Sequence, residues 1–292
     1  LPLYTSVGAF FINVFFNYVF IFGKLGAPRL EIEGAAIGTL FARLFEFAVI
    51  VGYFFTRDSK IQYCVQDLRM KCTSLLHEYI MVSVPVFVSD GLLALGTTAV
   101  AMIMGRISKE FVSANSITFV TQQLSTVLIQ GICHAGCIVT GHTLGKGDTR
   151  KAQEQAWTFL ELGVSIGIVA GLIILAISEP MIQAYNITDH TKNIARQLMD
   201  AMALIIVFQS ANSILTKGVL RGGGDTKFLM VADILFLWIV SIPLGALAGL
   251  YWHLSAFWIY VFLKIDQVIK AIWCVFRLKS GKWIKTIKGS KK

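Results

Sequence analysis

Charge is what this chain has least of. Asp, Glu, Lys and Arg make up 15% of its 292 residues, against about 25% in an ordinary soluble domain. That scarcity excludes a soluble cytosolic enzyme. Disorder is excluded too, because 55% of the residues are hydrophobic and 21 Phe and 25 Gly are spread through the chain. Cysteine is also sparse: Cys64, Cys72, Cys133, Cys137 and Cys274 are odd in number and lie in or beside apolar stretches, which excludes a disulfide framework and reads as reduced thiols. No cleavable signal is visible, and no Met opens the chain. It begins inside an apolar pattern with Leu1, Pro2, Leu3 and Tyr4, which points to a start cut from a longer sequence.

What is present is a solvent preference for lipid. A helix needs about 20 apolar residues to cross roughly 30 Å of hydrocarbon, and eight runs qualify: 3–23, 34–55, 80–105, 112–141, 157–178, 198–220, 228–250 and 255–276. Gly23 with Lys24, Arg57 with Asp58, Gly105 with Arg106 and Glu179 with Pro180 read as stop signals. The net charge of +9 does not indicate nucleic acid, because seven of the 26 basic residues fall in 277–292, a pattern that orients a membrane protein. If the eight spans alternate, seventeen Lys and Arg lie on one side (56–79, 144–152, 217–227 and the tail) and six on the other. Both ends are then cytoplasmic. The long polar segment 56–79 divides the chain, and residues 1–55 and 226–276 share a helix, glycine-containing turn, charged helix plan in the same direction.

A charged side chain near mid-bilayer costs roughly 2.5–3.5 kcal/mol on insertion scales, so each needs a partner or a wet cavity. In the third span Ser83, Asp90 and Thr97 recur every seven residues, on one slowly drifting helical stripe. Asp90 reads as an unpaired acid, able to bind a proton or a metal cation. The fourth span repeats the spacing with Ser116, Gln123 and Gln130, and the sixth carries Gln209, Asn212 and Thr216. Three inward polar stripes suggest a cavity lined by acid, amide and hydroxyl groups, although amide stripes also serve as interhelical glue. Asp266 with Lys270, and Arg43 with Glu46, have the spacing of helical ion pairs.

Enzyme-like patterns fail. Only Cys133 and Cys137 of a Cys133, His134, Cys137, His142 group share a face, and Gly131, Gly136 and Gly141 suggest close helix packing there instead of a metal site. Gly141, Gly145 and Lys146 imitate a phosphate loop, but Gly147 stands where Ser or Thr belongs. The sequence calls for no catalytic residues, no cofactor and no resident metal.

The stretch Val219 to Lys227 (VLRGGGDTK), following Phe208, Gln209 and Asn212, resembles the tenth-helix exit of multidrug and toxic compound extrusion (MATE) transporters. Gly34 to Glu46 looks like the sixth-helix entry of that family, Pro85 to Gly105 its seventh helix and Gly141 to Asp148 the exit of its eighth. The resemblance covers the whole chain. It implies an all-α membrane protein with eight of the twelve helices of a two-lobe transporter: the last two of the N-lobe in 1–55, a cytoplasmic interlobe loop in 56–79, a six-helix C-lobe in 80–276 and a basic cytoplasmic tail in 277–292. It further implies export of small organic, often cationic, compounds across the bacterial inner membrane in exchange for H⁺ or Na⁺, with the missing N-lobe helices required. The alternative cargo is a lipid-linked precursor, as in flippases of the same superfamily. By resemblance, Asp90 matches the acid of an Asn/Glu pair, with Ser89 in place of the Asn, and Asn212 stands where sodium-coupled relatives carry an acid. Asp90, Gln209 and Asn212 are thus the expected cation or proton site, with weak Na⁺ binding possible at Asp90. Ser83, Thr97, Ser116, Gln123, Gln130 and Thr216 are its expected cavity lining.

Overall fold

The computed structural model describes residues 2–26, 28–57 and 73–285, and every regular element among them is helical. In chain order these are α1 (Pro2–Phe22), α2 (Glu31–Arg57), α3 (Thr73–Ile107), α4 (Lys109–Gly145), α5 (Thr149–Gln183) and α6 (Asp189–Ser213). After α6 the same rod runs on in a π-helical stretch, Ile214–Leu220. The next rod alternates α7 (Thr226–Asp233), a π segment Ile234–Ser241, α8 (Ile242–Ala246) and a π segment Leu247–Tyr251. The last is α9 (Ala256–Leu263) followed by α10 (Ile265–Lys279). Most of the expected interlobe loop, 58–72, and the end of the basic tail, 286–292, lie outside the described residues.

Residues 1–73 and 74–292 form separate compact units. In the first, α1 and α2 pack through aromatic faces, with Phe16 stacked on Phe41 at 4.5 Å. Asn13 donates to Thr39 at 3.3 Å, and Gly34 lets α2 approach the Phe20 backbone so closely that a Cβ there would sit 2.7 Å from its carbonyl. The Arg43–Glu46 pair forms at 2.7 Å. α1 stops where Gly23 turns to φ +64°.

In the second unit α6 is the central rod. Leu198, Met199, Ala201, Met202 and Ile206 are each at most 1% exposed, so protein, not lipid, surrounds a helix whose polar content lowers its hydropathy. α5 lies against it along Gly163, Gly167 and Gly171, a small-residue seam that brings backbones together. A second seam sets Gly218 and Gly222 against the carbonyls of Cys133 and Cys137 on α4. Gly136 and Gly141 face that seam as expected, whereas Gly131 faces open space.

Among the described residues seven helices are long and apolar enough to cross a membrane. The expected eighth run, 255–276, is not among these seven, because its helix is interrupted at Lys264 (φ −120°, ψ 10°). Ser241 stabilises the break by placing its hydroxyl 2.7 Å from the Leu263 carbonyl that the interruption frees. Two helices end a little beyond their expected stop signals. α3 continues past Gly105 to Ile107, where Ser108 caps α4 by accepting from the Phe111 amide at 3.0 Å, and α5 runs through Pro180 to Gln183. Cys133, Cys137 and Cys274 are free thiols.

Candidate functional site

Four helical rods of the second unit meet at a buried ionic cluster. α10 contributes Lys270, whose ammonium lies 3.0 Å from Asp233 Oδ1 and 3.1 Å from Asp266 Oδ2. The side chains of Lys270 and Asp266 are 3% and 2% exposed, and that of Asp233, at the end of α7, 14%. Helical spacing explains the Asp266–Lys270 half, an i, i+4 pair with the acid first. Asp233 comes from another rod. Its second oxygen accepts from the Ser89 hydroxyl of α3 at 2.5 Å. On the other flank Gln267 donates to Asp266 at 2.6 Å and accepts from the Asn212 amide of α6 at 2.8 Å. The chain of contacts Ser89, Asp233, Lys270, Asp266, Gln267, Asn212 therefore crosses the bundle without a gap.

Two carboxylates against one ammonium leave these three charges at a formal −1. Lys264, at the helix break two residues before Asp266, is a further cation next to these groups, although it makes no ion pair among the described residues; Arg277 and Lys279 lie at the far end of α10. Asn212, 5% exposed, keeps its Oδ1 without a hydrogen-bond partner, as does the fully buried hydroxyl of Ser210 on the same helix. Ion-paired acids that outnumber their base, with the orphaned Asn212 acceptor joined to them through Gln267, suit a proton or small monovalent cation, since a desolvated acceptor without a donor is costly to leave empty.

The residues expected to share one site are distributed differently. Asp90 is not unpaired: Arg221, at the end of the rod that continues α6, donates to it at 3.0 Å. It is also half exposed, at 51%. Sequence periodicity could not show this partner, which lies 131 positions away. Gln209 accepts from Gln122 at 3.0 Å, and Asn212 joins the cluster through Gln267. Asp90, Gln209 and Asn212 thus sit in three separate polar contacts. Of the expected lining, Ser116, Gln123 and Gln130 share the open face of α4, away from its buried residues Ile117, Thr121 and Ile129. Ser116 donates back to Val112 O, and Thr97 donates to Ala94 O. Ser83 is half-buried, and Thr216 donates to Asn212 O at 2.7 Å. Sequence reasoning passed over Asp233 and Gln122. The signal for Asp233 was available, because an acid at the sixth position of the apolar run 228–250 calls for the same explanation as Asp90.

The family model described as MatE matches residues 85–247, more than half of the chain. Among curated relatives, the multidrug resistance protein MdtK of Edwardsiella ictaluri (strain 93-146) is 25% identical over 245 residues, which cover 82% of this chain and 52% of that protein. The probable multidrug resistance protein NorM of Xylella fastidiosa (strain 9a5c) is 22% identical over 280 residues, 94% of this chain and 59% of that protein. The chain thus spans between about half and three-fifths of these relatives. A solved MATE structure in the straight conformation superposes with a TM-score of 0.83 at 16% identity, over 97% of this chain and 62% of that one. The Vibrio cholerae MATE transporter VcmN in its bent form gives 0.79 at 13%, over 95% and 62%. The apolar spans, the glycine seams, the motif order and the family model agree: the chain is a multi-pass membrane protein that belongs to the MatE family.

Proposed function

We propose that this chain forms the larger part of a secondary antiporter that exports small organic, often cationic, compounds across the bacterial inner membrane in exchange for H⁺ or Na⁺. Relatives named for multidrug resistance support the cargo class. The distribution of basic residues supports cytoplasmic ends, and the reading takes in the N-lobe helices of a two-lobe transporter as a further requirement, in keeping with a chain that spans 59% of the NorM relative. The observation that carries the reading is the Asp233–Lys270–Asp266 cluster with its formal −1 charge and the orphaned Asn212 acceptor beside it. Binding of one monovalent cation or proton neutralises the cluster and competes with Lys270 and Ser89 for Asp233. Exchange follows if the two ligands favour different arrangements of the helices that this acid joins.

In this reading Asp233 is the coupling acid, Asn212 and Gln267 extend its site, and Asp90 anchors α3 to Arg221. Complete protein in proteoliposomes, loaded with a lipophilic organic cation and given a proton or a sodium gradient in turn, tests the assignment. Asp233→Asn is expected to slow gradient-driven export about tenfold or more, within the range of site-to-site coupling, and to leave binding of the organic cargo in the absence of a gradient intact. Asp90→Asn is expected to keep most of the native rate. Native-rate export by Asp233→Asn under both gradients would remove the cluster from the mechanism, and loss with Asp90→Asn alone would return the role to Asp90.

A further inference from the structure

A second cluster of charge lies where α7 begins and α10 ends, outside the contacts just described. There a cavity of ≈ 580 Å³ is bounded by Lys227, Arg277 and Lys285 and by the single acid Asp225. Asp225 is buried and accepts from Arg277 Nε at 2.7 Å, with the Lys285 ammonium at 3.7 Å. This contact uses one edge of the guanidinium. Its plane is fixed over the Phe228 ring, 4.8 Å from the centroid, and Phe228 in turn stacks on Trp273. Both terminal amino groups of Arg277 are left without a hydrogen-bond partner among the described residues, as is the exposed Lys227 ammonium. An arginine already oriented by an acid and an aromatic face loses little freedom when it meets an oxyanion, and its fork matches phosphate geometry.

The rest of the wall is apolar. Met81 and Val82 of α3 and Val231 of α7 border the cavity, and from Val231 an exposed strip continues through Leu235 and Ile239 along the same rod. Basic groups at a helix end above an apolar track have the polarity of a lipid molecule, headgroup at the interface and chain against the protein. We infer that this pocket binds an anionic phospholipid, with the phosphate held by Arg277, Lys227 and Lys285 and an acyl chain lying along Val231 and the neighbouring α3 face.

The site is tested without any transport assay, by titrating the chain in detergent micelles with phosphatidylglycerol, phosphatidylcholine or inorganic phosphate and reading bound lipid by native mass spectrometry. Phosphatidylglycerol is expected to bind in preference to phosphatidylcholine and to resist displacement by millimolar phosphate. Lys227→Gln with Lys285→Gln is expected to weaken phosphatidylglycerol about thirtyfold, since each lysine near an anionic surface contributes about 1 kcal/mol. Lys146→Gln with Lys151→Gln removes two exposed charges that do not line the cavity, and is expected to leave binding unchanged. The unfolding midpoint of each variant in lipid-free detergent separates misfolding from lost binding. Equal binding of the two lipids, displacement by phosphate alone, no effect of the Lys227/Lys285 pair, or an equal loss in the Lys146/Lys151 pair would each overturn the assignment.

Discussion

Lys270→Met is expected to destabilise the protein by about 3–5 kcal/mol, because removing one partner from a buried ionic cluster leaves charge without compensation. Here the effect falls on two acids at once. Lys270 stands within 3.1 Å of both Asp233 and Asp266, and the substitution leaves two carboxylates facing each other in a nearly dry site. Unfolding in a graded detergent and denaturant series, followed by helical content, reads the loss. A variant that replaces all three charges, Lys270→Met with Asp233→Asn and Asp266→Asn, is expected to recover most of it, since a neutral cluster carries no desolvated charge. If Lys270→Met unfolds where the unmodified protein does, the cluster does not hold these helices together. The same pair of variants separates stability from transport: the triple replacement is expected to fold yet to lose ion-driven exchange.

The second large effect belongs to the seam between α5 and α6. A Cβ built on Gly167 would lie 2.8 Å from Val207 Cα and 3.0 Å from Ser210 Cβ, and one on Gly171 would lie 2.7 Å from the Ala203 carbonyl. These neighbours are mostly backbone, which cannot rotate away as a side chain can. The helices must separate, and α6 is the rod around which the second unit is built. Gly167→Val is therefore expected to cost at least the 1–3 kcal/mol typical of an overpacked core, and to reduce the yield of folded protein in detergent sharply. Gly131→Ala is the control, because nothing lies within 4 Å of a Cβ at that helical position. There the substitution is expected to be neutral or to stabilise by up to about 1 kcal/mol. Comparable losses in both variants would mean that helix propensity, and not close approach, governs this bundle.

The spans were legible in the sequence because the bilayer sets a length that apolar runs must meet. The boundaries were less so. α4 and α5 reach 37 and 35 residues, about 55 Å at 1.5 Å per residue, so they extend well beyond the hydrocarbon into sequence that hydropathy does not mark. The Asp266–Lys270 and Arg43–Glu46 pairs could be read from spacing alone, since helical neighbours three and four apart share a face. Periodicity also placed Ser116, Gln123 and Gln130 on one stripe, but it could not say which rod, if any, that stripe would meet. The residue that reaches α6 from α4 is Gln122, one position away, and Gln123 is turned to the open side. The same limit applies to Asp90. Helix spacing fixes a direction relative to Pro85 and Thr97, while the choice of Arg221 depends on how α3 lies against a distant rod. The break at Lys264 was hidden because the run 255–276 has the composition of an unbroken span, and the Ser241 hydroxyl that meets the freed Leu263 carbonyl comes from a neighbouring rod.

That break has an electrostatic consequence. In an unbroken helix Asp266 would sit partway along the rod, where the partial charges of successive turns cancel. As it stands, Asp266 occupies the first turn of a new helix, close to the positive end of the α10 macrodipole, and Lys264 follows the negative end of α9. The first-turn amides of α10 thus place backbone partial positive charge beside the acid, in addition to the Lys270 ammonium 3.1 Å away. Restoring helical continuity at this point would weaken that support while leaving every side chain in place.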